Sequence, residues 1–447
     1  MNQFAKYMVL SVLLLAGNTF VYSQQAPFSI VDNLFRQSDS NMLGLDYAEG
    51  LENAFVFRPS DGSDHFVNGV VLAAFKGKLY CTWQSSAKTE DTPDTWVAYA
   101  VSDDDGKTWS EPKVLCPTID DGYCSSGGWL VTNDKLVGYI NTWPTPKNES
   151  KWGYTRYVES EDGEHWTEPK EVMMADGTRL EGIFEQDPHT SADGRIVCAA
   201  HFHYGPVSGQ KGIYVQPIYT DDPSGVKGWK RGNFTPTNNG GQSRELEPSL
   251  YTKEDGTLVM IFRDQKGDFH KLAASSTDRG ENWTKAYVTN MPDSRSKQCA
   301  GNLPDGTCYI INNPVNSKNR YPLAISLSAD GTTFTKAYML RSSNELPTKK
   351  YTDNQGVGYA YPKAMVDGEW LYVGYSQNKE DVMYTRIPLS SLMLKSSIDD
   401  VVLSHQNQLH GSGDVYNLQG QKLSDNSLIS GKYKGIVLRN GKKYLIK

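Results

Sequence analysis

One short pattern constrains this chain more than any other. Ser102-Asp103-Asp104-Asp105-Gly106-Lys107-Thr108-Trp109 and Ser276-Thr277-Asp278-Arg279-Gly280-Glu281-Asn282-Trp283 both read S-x-D-x-G-x-x-W. Ser160-Glu161-Asp162-Gly163-Glu164-His165-Trp166 and Ser328-Ala329-Asp330-Gly331-Thr332-Thr333-Phe334 are shortened versions. In such a stretch the Ser and Asp oxygens accept backbone N–H groups, the Gly takes positive φ, and the aromatic tucks back onto a sheet. Short β runs surround the copies, among them Leu79–Trp83, Leu136–Ile140, Ile196–Ala200 and Leu371–Tyr375. Asp-Gly turns, a strong hairpin signal, recur at Asp193-Gly194, Asp255-Gly256, Asp305-Gly306 and Asp367-Gly368. Amphipathic helical stretches of three turns or more are nearly absent.

The strand pairs group into units near residues 66–112, 126–168, 181–233, 245–287, 295–340 and 357–390. Repeats of this length, each with several strands, are what a β-propeller requires. The repeated turn is similar to the Asp box, and the chain resembles the sialidase-like (BNR) propeller superfamily that carries it. The expectation is an all-β, six- or seven-bladed propeller, with residues 28–57 giving either a closing strand or most of a seventh blade. The box aspartates are read as structural.

Residues 1–23 read as a signal peptide: Lys6 precedes the apolar run Met8–Gly17, which is too short for a stable membrane span. The propeller is expected over 24–395. A small C-terminal β module, a sorting or docking tail, is expected over 396–447, where Val415–Leu423 and Gly435–Ile446 alternate around Gly turns. A monomer in the periplasm, at the cell surface or secreted follows. The formal net charge of −7 argues against nucleic acid as partner. The six cysteines form no dense scaffold and no zinc-like cluster, so no metal or cofactor is expected; Cys116 and Cys124 flank a loop and could pair in an oxidising compartment.

Sites in propellers lie at the mouth of the central channel. Glu247 and Arg263 stand at the ends of one predicted hairpin, so the turn at Asp255-Gly256 would bring carboxylate and guanidinium together. In the sialidases that the chain resembles, a Glu assists a Tyr nucleophile, an Asp is the acid and three arginines clamp the substrate carboxylate. The resemblance gives these roles to Glu247, to Tyr361 in Gly358-Tyr-Ala-Tyr-Pro-Lys363, to Asp94 or Asp91, and to Arg263 and Arg320. The first arginine of that clamp should fall near Val67, where the chain reads His65-Phe-Val-Asn-Gly69; Arg58 is several residues too early.

A closer resemblance, over most of the chain, is to sialidase-like propellers of gut bacteria that process plant glycans, and it makes an exo-acting α-L-rhamnosidase the expected function, with an exo-sialidase as the alternative. Glu247-Pro-Ser-Leu-Tyr251, Ala300–Gly306 and Tyr375–Asp381 carry it. That group includes α-L-rhamnosidases that remove rhamnose from glucuronic acid, with a lone His as catalyst on the opposite face. His65, in a polar turn at a strand edge, and then His189 are the candidates, since imidazole titrates near neutrality. His201 and His203 alternate at a strand end and would share a face; with Lys363 they are candidate substrate contacts. The partner implied is an acidic oligo- or polysaccharide. Rival readings are a polysaccharide lyase, a glycan-binding propeller without turnover, and a Glu247–Arg263 pair that only ties strands together.

Overall fold

The computed structural model describes residues 25–120, 122–132, 134–143, 153–186, 188–202, 213–351 and 356–395, together with five short strands between 402 and 446. The predicted signal segment lies outside the described residues. Six antiparallel sheets follow one another along the chain, spanning 66–116, 123–171, 182–231, 245–292, 299–341 and 359–388. Within each, strands pair in sequence order, and first strands of neighbouring sheets lie beside one another. This is a six-bladed propeller whose first strands line the channel.

Residues 25–57 supply no further blade. Glu52–Phe57 instead pairs antiparallel with Asp381–Pro388 as the outermost strand of the last blade, in the register Glu52↔Arg386, Asn53↔Thr385 and Ala54↔Tyr384. The ring is thus closed by the start of the chain, with Arg386 Nε donating to Glu52 Oε2 at 2.8 Å.

The predicted turns form as their chemistry dictates. Gly106 N–H donates to Ser102 Oγ at 2.9 Å, Thr108 N–H to Asp104 Oδ1 at 2.9 Å, and Trp109 Nε1 to Gly106 O at 3.1 Å. The same pattern recurs at Ser276–Trp283. Each box follows the third strand of a blade, which runs parallel to the inner strand. The boxes therefore sit at the face reached by the C-terminal ends of the inner strands. Apolar residues between blades make the core; Leu303, Ile311 and Leu327 meet Leu371, Val373 and Ile387 between the last two. The C-terminal strands form a separate five-stranded sheet.

Removing residues 1–57 strips the outer strand from the last blade and leaves its ladder unpaired. The expected result is a lower and broader thermal transition with a tendency to aggregate. Calorimetry against the full chain checks this, and an unchanged transition would refute closure by this strand.

Candidate active site

The N-terminal ends of the inner strands gather at one mouth of the channel, and there the inner ladders slip. The pairing shifts between Asn68 and Val71, Ser126 and Gly128, Leu246 and Ser249, and Ala360 and Lys363. A bulge needs one residue in an unusual backbone conformation. Gly69 and Gly128 supply it in the first two blades, with φ of 64° and 100°. In the other two the left-handed residues are Glu247 at φ 49° and Tyr361 at φ 59°. Each is followed by proline, Pro248 and Pro362, whose missing N–H costs little where the ladder is already interrupted. Fully buried aromatics, Trp83, Phe262 and Tyr375, stand opposite three of the bulges.

Other blades pin the bulge at Glu247. Its N–H donates to His201 Nε2 at 3.0 Å, and its carbonyl accepts from Gln298 Nε2 at 2.9 Å. Gln298 also donates to Ser249 Oγ at 3.1 Å and Ile261 O at 3.0 Å, while its Oε1 accepts from Lys271 Nζ at 2.8 Å. Lys271 is itself fully buried against Asp293 at 2.7 Å. Because His201 Nε2 accepts, the ring proton lies on Nδ1, which faces Glu185 Oε1 at 3.3 Å.

The side chains at this mouth form a lattice of paired charges. Glu247 Oε2 accepts from Arg263 Nη1 at 2.9 Å, with both side chains mostly buried. Glu185 Oε2 meets Lys297 Nζ at 3.0 Å, and Glu90 Oε2 meets Lys379 Nζ at 2.7 Å. Burial pushes the Glu247 carboxyl up, but Arg263 and Lys297 outweigh it, and the group sits below its ordinary range. Glu185 is likewise lowered, burial being overcome by Lys297 and His201. Tyr361 lies among the cations: Arg320 is 4.9 Å, Lys379 5.2 Å and Lys297 5.8 Å from its ring centroid. Arg320 Nη1 is buried and has no hydrogen-bond partner among the described residues. Tyr359, two residues away, is core: its hydroxyl donates to Ser342 O at 3.0 Å.

Glu247, Arg263, Arg320, Tyr361 and His201 are therefore brought together. Asp94 belongs to the loop at this mouth, where its Oδ2 accepts from Ala87 N–H at 2.9 Å; burial raises its pKa, but the Thr92 hydroxyl and the Ala87 amide bring it below the usual value. Asp91, at φ 59°, interacts with Tyr123, whose hydroxyl is pushed up by burial and by Asp91 and Glu90. Lys363 is buried on the inner strand Tyr359–Asp367. His203 lies outside the described residues. His65 precedes the first inner strand, stacked on Tyr351 with ring centroids 4.0 Å apart and with Nε2 3.0 Å from Ser60 O. His189 stands apart from the cluster. It is 2.8 Å from Thr252 Oγ1, at the far end of the strand that carries Glu247, and it lines a cavity of about 330 Å³ with Ala300, Asn302 and Met365.

Sequence reasoning missed Glu185, Lys297 and Lys379. Glu185 projects where the first strand of the third blade is broken, between Gly182–Phe184 and His189–Thr190, and Pro188 is the legible sign of that break. Lys379, at φ 56°, lies in the last turn of the sixth blade, and its carbonyl accepts from Val67 N–H at 2.8 Å.

Six blades carrying repeated Ser-Asp-Gly-Trp turns, with a tyrosine, carboxylates and several cations at the channel mouth, make up a sialidase-like fold. Residues 77–374 match the BNR repeat-like domain, and the chain belongs to that family. A Bacteroides fragilis sialidase is 24% identical over 246 residues, which cover 52% of this chain and 41% of that protein. The chain thus spans about two fifths of the curated relative it matches. Among solved structures, a Hadza microbial sialidase superposes with a TM-score of 0.59 at 17% identity, covering 76% of this chain and 69% of that one. The intramolecular trans-sialidase of Ruminococcus gnavus gives 0.54 at 14% identity, covering 75% and 97%. These likenesses define the fold.

Arg263→Met leaves Glu247 buried without its partner and is expected to cost about 3–5 kcal/mol in urea denaturation. Adding Glu247→Gln should recover part of that loss. The Glu247 pKa is lowered in the folded state, so the pair's contribution is complete above the ordinary carboxylate value of 4.5. It is lost as pH falls through the lower folded value. The double variant should therefore show a shallower acid limb of stability than the wild type.

Proposed function

We propose that this protein is an exo-acting glycosidase that removes a terminal acidic sugar by sialidase-type chemistry. The observation that carries the proposal is Tyr361 held at a left-handed bulge with three cations around its ring and the Glu247–Arg263 pair in the same mouth. A carboxylate entering beside the ring meets positive charge from several sides, and the unpartnered Nη1 of Arg320 is its first contact. Lys379 stands against Val67, where the resemblance called for an arginine and the sequence has none; a lysine gives a point contact in place of a bidentate one.

In the proposed reaction the Tyr361 oxygen attacks the anomeric carbon while Glu247 takes its proton, and the leaving oxygen is protonated by an acid from the 87–95 loop. Asp91 suits that role better than Asp94, whose carboxylate caps the loop. Water then hydrolyses the glycosyl–tyrosine bond, Tyr361 recovers its proton, and configuration is retained. Export to the periplasm or cell surface would bring such an enzyme to its acidic glycan.

A second reading is favoured by His189. Its imidazole is held neutral by burial, which lowers its pKa from 6.5 to about 4, and it lines a cavity at the end of the channel away from Tyr361. A histidine-dependent α-L-rhamnosidase acting beside glucuronic acid would use that face. His65, with its ring packed on Tyr351, suits that role less well.

A fluorogenic sialoside and gum arabic, analysed for free rhamnose, separate the two readings. Under the first, the sialoside is cleaved and Tyr361→Phe loses at least about 10²-fold in kcat. Under the second, only rhamnose is released, and His189→Ala abolishes release while Tyr361→Phe does not. Turnover of neither substrate would overturn both.

A further inference from the structure

The connection between the first two blades holds a pair of sulfurs that plays no part in the proposed reaction. Cys116 ends the outer strand Lys113–Cys116, and Cys124 is the second residue of the next inner strand, Tyr123–Val131. Both are buried, and their Sγ atoms lie 3.6 Å apart, with the Cys116 thiol directed at Cys124. Arg156 closes the cluster: its Nη2 is 3.5 Å from Cys124 Sγ and 3.8 Å from Cys116 Sγ, while its Nε donates to Thr142 Oγ1 at 2.8 Å. The other buried thiols behave differently. Cys198 donates to Gln186 O at 3.5 Å and Cys308 to Thr252 O at 3.4 Å, as small core residues do.

We propose that Cys116 and Cys124 are joined by a disulfide as the protein matures in an oxidising compartment, stapling the first blade to the second at the mouth that holds the candidate site. A covalent S–S of about 2.0 Å requires the two sulfurs to close the 3.6 Å that now separates them. The oxidant is a small-molecule or protein disulfide. One cysteine thiolate attacks it, releases one thiolate and forms a mixed disulfide. The other cysteine gives up its proton and displaces the second thiolate. Two S–H bonds are exchanged for one S–S bond, and the oxidant leaves as two thiols, having taken up two electrons and two protons. The exchange takes place as the two blades come together and Arg156 reaches the pair, and burial shields the product afterwards.

The cluster also has the chemistry of a reactive pair. The Cys116 hydrogen bond, against burial and with help from Arg156, brings the Cys124 thiol down to about 7, while Cys116 is pushed up. Thiolate character of this kind makes a cysteine the attacking partner in exchange. The bond would also fix Tyr123, adjacent to Cys124 in the chain, whose ring stacks on Trp143 at 5.7 Å between centroids and whose hydroxyl feels Asp91, Glu90 and Glu185.

The test is a thiol map of the full-length protein refolded from urea in a glutathione redox mixture, then alkylated under denaturing conditions without reductant. Residues 114–135 contain no internal Lys or Arg, so trypsin leaves both cysteines on one peptide. That peptide should carry no alkyl group and be two hydrogens lighter than its unalkylated reduced form, with four of the six cysteines modified. Refolding with a phosphine reductant should lower Tm by on the order of a few degrees. The Cys116→Ser/Cys124→Ser variant should lose that redox dependence, and Cys81→Ser should keep it. Alkylation of all six cysteines after oxidative refolding, or a wild-type Tm independent of redox conditions, overturns the proposal.

Discussion

A residue with a Cβ resists the left-handed backbone by about 1–2 kcal/mol, and a propeller with glycine available has no need to bear that cost. Yet Glu247 and Tyr361 adopt it at the bulges where two other blades use Gly69 and Gly128. The surroundings hold them there. Glu247 is bonded at its N–H by His201 and at its carbonyl by Gln298, and Phe262 fills the space opposite, as Tyr375 does opposite Tyr361. A bulge turns a side chain that would lie in the regular ladder toward the channel mouth. That redirection is what sets Glu247 and Tyr361 at the candidate site.

Charge is the second constraint. The mouth collects Arg263, Lys297, Lys379 and Arg320, and a buried cation without a counter-charge is costly. Glu247, Glu185 and Glu90 answer the first three, at 2.9, 3.0 and 2.7 Å. The pairs make the site stable but consume most of its attraction for anions. Arg320, whose Nη1 lacks a hydrogen-bond partner among the described residues, retains the capacity to bind one. Under the proposed function, a lattice of this kind would recognise an acidic sugar by the pairing it leaves incomplete, and total positive charge is a poor guide to its affinity.

The parts legible in the sequence are those fixed by local chemistry. The Ser-Asp-Gly-Trp turns, the Asp-Gly hairpins and hence the blades could be read directly, as could the meeting of Glu247 with Arg263 across one hairpin. Blade number could not, because closure depends on Glu52–Phe57 finding a partner more than three hundred residues away, at Asp381–Pro388. Lys379 was illegible for a similar reason: Gln377–Glu380 reads as a polar turn, and only ring closure sets it beside Val67. Glu185 was hidden by a broken strand. One signal was present and passed over. Proline interrupts the inner strand at Pro188, Pro248 and Pro362, and in each case a site residue lies within a few positions before it.

The closing strand also sets an order of events for the newly made protein. The partner of residues 52–57 is among the last parts of the ring to be synthesised, so the early segment must wait, unpaired, while five blades are laid down behind it. Until residues 381–388 appear there is a gap in the circle and the rim of the channel is unfinished. The newly made chain thus stays an open arc for nearly the whole of its synthesis, and the circle is completed only at the end.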